Sequence, residues 1–175
     1  RVLAGHGAQR EETVLPVRVG GHIGLRDRGG QHGAEVSDAG DVLPLDANVM
    51  YGRGCIFSCS FCASPVMWQR RVRYKPVDVF AKEIRHLLKR GARHITIWDD
   101  IINQSRPHFE QLCRHLESID GLHYTAMVRM NMVTDRDLDL MQKAHIKFVD
   151  FGLETLDPIV LRNMNKPQNL DVVRD

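Results

Sequence analysis

Cys55, Cys59 and Cys62 lie together in the run GCIFSCSFCASP at positions 54–65. This C-x3-C-x2-C spacing puts three soft thiolate ligands on one short loop, and thiolates select iron–sulfur clusters, zinc or Cu(I). A closed structural zinc site takes four ligands, and so does a self-contained ferredoxin-type cluster. Three thiolates therefore leave one metal position open. The fourth cysteine, Cys113, shares a helical face with Phe109, Leu112, Leu116 and Ile119, the setting of an ordinary buried thiol. His94, His123 and His145 fall at element edges with no C-x2-C or H-x3-H partner, which leaves a zinc module as the rival reading.

The cysteines need a scaffold, and the pattern from Ala47 onward supplies one by alternating strand-like and helix-like segments. A short apolar run at 48–51 leads into the cysteines. Residues 76–90 place Val77, Phe80, Ile84, Leu87 and Leu88 on one helical face, with Pro76 at the start and Gly91 just past the end. A β-branched strand at 94–100 and a helix carrying Phe109 to Ile119 form a second unit. Residues 123–130 read as a third strand, Thr134 to Asp137 as a capping box opening a helix, and 147–154 as a fourth strand.

Strands alternating with helices predict an α/β fold with a parallel sheet and right-handed crossovers, whose ligand-binding ends are the C-terminal ends of the strands. Those ends carry Cys55, Asp99, Asp100, Arg129 and Glu154. Within the fourth strand, alternation puts Val149, Phe151 and Leu153 on one face and Asp150, Gly152 and Glu154 on the other, toward an interior that holds something polar. The last strand is expected to leave an unpaired edge.

The chain has 175 residues, 43% hydrophobic and 26% charged, within the range of a globular protein. No stretch approaches the roughly 18 apolar residues of a membrane span, and no secretory signal is evident, so a cytoplasmic location is expected. A net charge of +2, with no run of like charge, does not indicate nucleic-acid binding. Residues 1–46 are Gly-rich and poor in large apolar groups; they are read as a connector and the tail of a preceding domain, with a hairpin turn at 24–31, and 47–175 as the domain proper. The start at Arg1 and the helical turn opening at 169–175 suggest a piece of a longer chain.

The cysteine run, with the aromatic Phe61 just before its last cysteine, resembles the radical S-adenosylmethionine (SAM) enzymes. Ala63-Ser64-Pro65, Trp68, Arg71, Arg73, Pro76, Asp99-Asp100, the GLET run at 152–155 and the MNK run at 164–166 resemble the subgroup that carries a cobalamin-binding domain. The resemblance covers about residues 48 to 175, and 2–15 faintly resemble the end of a Rossmann-like cobalamin domain. It implies a partial (β/α)6 barrel, here truncated after about four strands.

By the same resemblance, the three cysteines bind a [4Fe–4S] cluster whose open iron takes SAM. Phe61 lies near the adenine, Arg129 and Glu154 reach the SAM carboxylate and ribose, and Asp99 or Asp100 receives the methionine amino group. The function implied is reductive cleavage of SAM to a 5′-deoxyadenosyl radical for hydrogen abstraction, followed in some members by cobalamin-dependent methyl transfer or by cyclisation. A small-molecule substrate and an electron donor such as flavodoxin or ferredoxin are the implied partners. A methylthiotransferase-like enzyme, a non-catalytic zinc or iron–sulfur module and an inert fragment are the alternatives. Trp68, Arg71 and Arg73 are read as cover for the loop and a solvated face.

Overall fold

A computed structural model describes residues 17–19 and 46–168. Its elements in order are β1 (Val17–Val19), β2 (Asp46–Val49), β3 (Gly52–Arg53), α1 (Ser64–Trp68), β4 (Arg73–Tyr74), α2 (Val77–Lys89), β5 (His94–Ile97), α3 (Arg106–Glu117), β6 (His123–Met127), a 3-10 turn (Met130–Met132), α4 (Asp135–Lys143), β7 (Ile146–Phe151) and α5 (Pro158–Asn163). The expected tail at 2–15, hairpin turn at 24–31 and helical start at 169–175 lie outside the described residues.

β2, β5, β6 and β7 form a wholly parallel sheet in sequence order, with β1 added beyond β7. Each return to a parallel neighbour requires a crossover, and α2, α3 and α4 supply them, α2 packing on α3 and α3 on α4. This is the α/β architecture of a partial barrel.

The core lies between sheet and helices. Phe80 and Ile84 of α2, Leu112 and Leu116 of α3, and Met141 of α4 bury against Ile95, Ile97, Tyr124 and Ile146. Strand alternation leaves the opposite face more open: Trp98 follows buried Ile97 and is 54% exposed. On that face His94 lies between Asp46 (3.1 Å) and the Thr125 hydroxyl (2.8 Å), tying the first residue of β2 to β6.

The capping box takes shape as expected. The Asp137 carboxylate accepts from both the backbone N–H (2.9 Å) and the hydroxyl (2.8 Å) of Thr134, and it also pairs with Arg106 across from α3.

Three features depart from expectation. The edge of β7 is not bare: Val17–Val19, inside the 1–46 connector, runs parallel beside it, satisfying backbone groups that an edge strand leaves open. β7 ends at Phe151 rather than continuing to Glu154; beyond it the Thr155 N–H turns back to the Leu153 carbonyl, and Gln168 Nε2 donates to the Gly152 and Leu153 carbonyls. Between β2 and α2 the chain forms a small antiparallel β3–β4 hairpin, inside which the cysteine loop and α1 are carried.

Candidate active site

The cysteine loop leaves the C-terminal end of β2 through Gly54, whose φ of +108° is a conformation natural to glycine; a Cβ there would run into the Arg71 carbonyl. Along the loop the thiols grade outward, Cys55 buried, Cys59 half-buried and Cys62 exposed. Each sulfur has an N–H near it. The Phe57 backbone N–H bonds Cys55, Arg129 Nη1 lies 3.9 Å from Cys59 Sγ, and the Ser64 backbone N–H lies 3.4 Å from Cys62 Sγ. Burial pushes the Cys55 thiol pKa up, the Phe57 N–H opposes this, and Asp100, Cys59 and Cys62 add to the rise.

The loop is held from beneath by the segment after β5. Both oxygens of Asp99 accept backbone N–H groups, from Tyr51 at 2.8 Å and Gly52 at 2.7 Å. Asp100 bridges the two ends of the loop, accepting from the Gly54 N–H (3.0 Å) and the Ser64 hydroxyl (2.6 Å). Gln104 brackets Cys55: its Nε2 donates to the Gly54 carbonyl at 2.8 Å and its Oε1 accepts from the Ile56 N–H at 3.1 Å. Asn103 does the same for the end of β6, exchanging two bonds with the Arg129 backbone.

Burial pushes the Asp99 carboxyl up to about 7, against the lowering effect of its two N–H partners. Asp99 is buried, at 3% exposure. The residues expected at the methionine amino group, Asp99 and Asp100, thus both brace the cysteine loop and its approach in this structure.

Arg129 is buried, its guanidinium 3.8 Å from the Phe57 ring centroid and its Nε donating to Asn131. It comes beside a cysteine sulfur rather than standing free at a strand end. Glu154 lies beyond the strand at φ +64° and pairs with Lys166 at 2.7 Å, and Lys166 lies 5.6 Å from the Phe61 ring centroid. Phe61, Arg129 and Glu154 therefore gather around the cysteine loop. Arg71 and Arg73 are exposed and Trp68 is half-buried.

Sequence reasoning missed Asn103, Gln104 and Lys166. The signal for the first two was present: adjacent amides just after a strand end, which bury only when fully hydrogen-bonded.

Cys113 is buried in the core, its thiol pushed up to about 12 mainly by burial, and stands apart from the loop as an inert side chain. Among the described residues no three His, Cys, Asp or Glu side chains gather tightly enough to hold a single metal ion. Three thiols on one loop, each with an N–H at its sulfur, suit a larger group such as an iron–sulfur cluster, in which hydrogen bonds to sulfur help set the potential.

Comparison with known proteins points the same way. A bacteriochlorophyllide d C-12(1)-methyltransferase of Chlorobaculum tepidum is 26% identical over 125 residues, spanning 69% of this chain and 27% of that protein. A tRNA-2-methylthio-N(6)-dimethylallyladenosine synthase of Roseiflexus is 34% identical over 88 residues, 47% of this chain and 18% of that one. The fold resembles the radical S-adenosylmethionine methyltransferase TsrM of Kitasatospora setae, with a TM-score of 0.67 at 17% identity over 73% of this chain and 27% of that chain. The chain thus spans less than a third of the length of these relatives. The model of the Radical SAM superfamily matches residues 49–175, which include the whole cysteine loop and every strand end that surrounds it, and the chain belongs to that superfamily.

Proposed function

We propose that this chain holds a [4Fe–4S] cluster on Cys55, Cys59 and Cys62, binds SAM beside it, and forms the catalytic core of a cobalamin-associated radical SAM methyltransferase acting on a small molecule. The observation that carries the reading is the three-cysteine loop at the C-terminal end of a parallel sheet, with an N–H donor at each sulfur. A cluster held by these three cysteines would supply the one electron, drawn from a donor such as flavodoxin or ferredoxin, that reductive cleavage of SAM requires.

The protein's own groups prepare for that event. Asp100 and Gln104 fix the loop around Cys55, while Asp99 holds the backbone leading into it. Arg129 brings positive charge to Cys59, and Glu154 offers a carboxylate to a ligand hydroxyl. The Phe61 ring, 49% exposed, is available to an adenine. The methyltransferase among the relatives and the TsrM structure, described with cobalamin and a [4Fe-4S] cluster bound, support the cobalamin-associated type.

Anaerobic reconstitution of the full-length protein should give about four irons per chain. Replacing Cys55, Cys59 or Cys62 by Ala should abolish that iron, whereas Cys113→Ala should keep it. Zinc in the wild-type site, or loss of iron in Cys113→Ala, would sink the reading. The 34% identity to the methylthio synthase favours methylthiotransferase chemistry as a second reading, which predicts roughly eight irons and no bound cobalamin.

A further inference from the structure

After α5 the chain turns back over the cysteine loop as a short strap, residues 164–168. The Ser60 N–H donates to the Met164 carbonyl at 2.9 Å, and Asn165 Nδ2 donates to both the carbonyl and the hydroxyl of Ser58 at 2.9 Å. Arg129 and Asn131 both reach the Pro167 carbonyl at 3.5 Å, and Gln168 closes on the residues after β7. The strap therefore joins the loop to the ends of β6 and β7 at once.

Among its side chains, Lys166 joins two groups of the candidate site. Its ammonium pairs with Glu154 Oε1 at 2.7 Å and lies 5.6 Å from the Phe61 ring centroid, with its side chain 11% exposed. Glu154 is held at φ +64°, a conformation that a non-glycine residue keeps only when its surroundings enforce it. An ammonium has three donors and no preferred plane, so one can hold a carboxylate while the charge rests near an aromatic face.

We propose that Lys166 is a positioning residue for SAM: it fixes the Glu154 carboxylate and the Phe61 ring relative to each other, so that the groups for ribose and adenine are set before the ligand arrives. This rests on the proposed reading in which Glu154 and Phe61 face SAM. Order imposed in advance reduces the side-chain freedom lost on binding, so Lys166 acts on affinity without touching the ligand.

The test uses the full-length, cluster-loaded protein and measures SAM dissociation constants by equilibrium dialysis, with iron determined in parallel. Lys166→Gln should weaken SAM binding about tenfold at unchanged iron content, and Lys166→Arg should recover most of that loss. Glu154→Gln should weaken binding comparably, and the double variant should be little worse than either single one, because both act through one pair. If Glu154→Gln weakens binding and Lys166→Gln does not, or if the two losses multiply independently, Lys166 has no positioning role. Loss of iron in Lys166→Gln would also overturn the inference, since it would make Lys166 a support for the loop itself. An unchanged constant in Glu154→Gln would instead remove Glu154 from the ligand site, and this inference with it.

Discussion

Gln104 is the side chain on which the placement of Cys55 most depends. It is 7% exposed and makes two hydrogen bonds to the loop, one on each side of Cys55. Gln104→Leu keeps similar bulk but deletes both, leaving the Gly54 carbonyl buried without that partner. A lost bond is worth about 1 kcal/mol net, and an orphaned buried group costs about 1–3 kcal/mol more, so loop closure should weaken by about 2–4 kcal/mol. Gln104→Glu keeps the acceptor for Ile56 but turns the donor facing Gly54 into a second acceptor, with a similar cost expected. Cys55 is a built-in reporter because it is buried, so alkylation of the apo protein requires the loop to open. Its labelling, followed by mass spectrometry, should accelerate by roughly 30- to 1000-fold in Gln104→Leu, while Cys113 labelling stays slow. Reconstituted iron should fall with it. Wild-type labelling and wild-type iron in both Gln104 variants would refute the view that these two bonds hold the loop.

Gly54→Ala should be more severe: a positive φ and the collision with the Arg71 carbonyl together cost more than about 2 kcal/mol, and iron content and thermal midpoint should both drop. Wild-type values for both would contradict the geometry. For Asp99, the folded pKa of about 7 lies above the ordinary 3.8, so the native state holds the proton more tightly than the unfolded chain. The stability this contributes is full below about pH 4 and is lost as pH rises toward 7, at up to ~1.4 kcal/mol per pH unit. Asp99→Asn cannot titrate, so the unfolding free energy of wild type relative to Asp99→Asn should fall by about 2–3 kcal/mol between pH 5 and 7.5 in urea titrations. A difference independent of pH would show that Asp99 keeps its charge throughout.

The parts legible in the sequence are those in which one element carries its own signal. α2 announces itself by the spacing of Val77, Phe80 and Ile84, and α4 by Thr134 and Asp137, three residues apart. The cysteines are equally local. What escapes is set by contacts between distant positions or by elements too short to have a period. The β3–β4 hairpin pairs only Gly52 with Tyr74 and Arg53 with Arg73, and α1 has five residues. Asp99 finds its partners 47 and 48 positions away. Lys166 reaches Glu154 across twelve, beyond the single helical turn within which a cationic neighbour would be sought. The extended alternation expected through Glu154 stops at Phe151, and the carbonyls after it accept from Gln168, a residue of a later segment.

Burial separates the charges at the strand ends into two sets, which sequence position alone leaves mixed. A carboxylate meets a ligand most readily where it keeps access to solvent. Asp99 is buried, and each of its oxygens takes one backbone N–H. Asp100 is half-buried and uses one acceptor site on each oxygen to join the ends of the cysteine loop. Glu154 has a side chain 31% exposed and a lysine that orients it without covering it. Under the proposed function, the negative charge that SAM encounters therefore comes from the end of β7, while the acidic pair after β5 keeps the cysteines in place. The two sets also predict opposite phenotypes: losing an aspartate after β5 should cost iron first and SAM affinity only as a consequence, whereas losing Glu154 should cost SAM affinity with the iron intact.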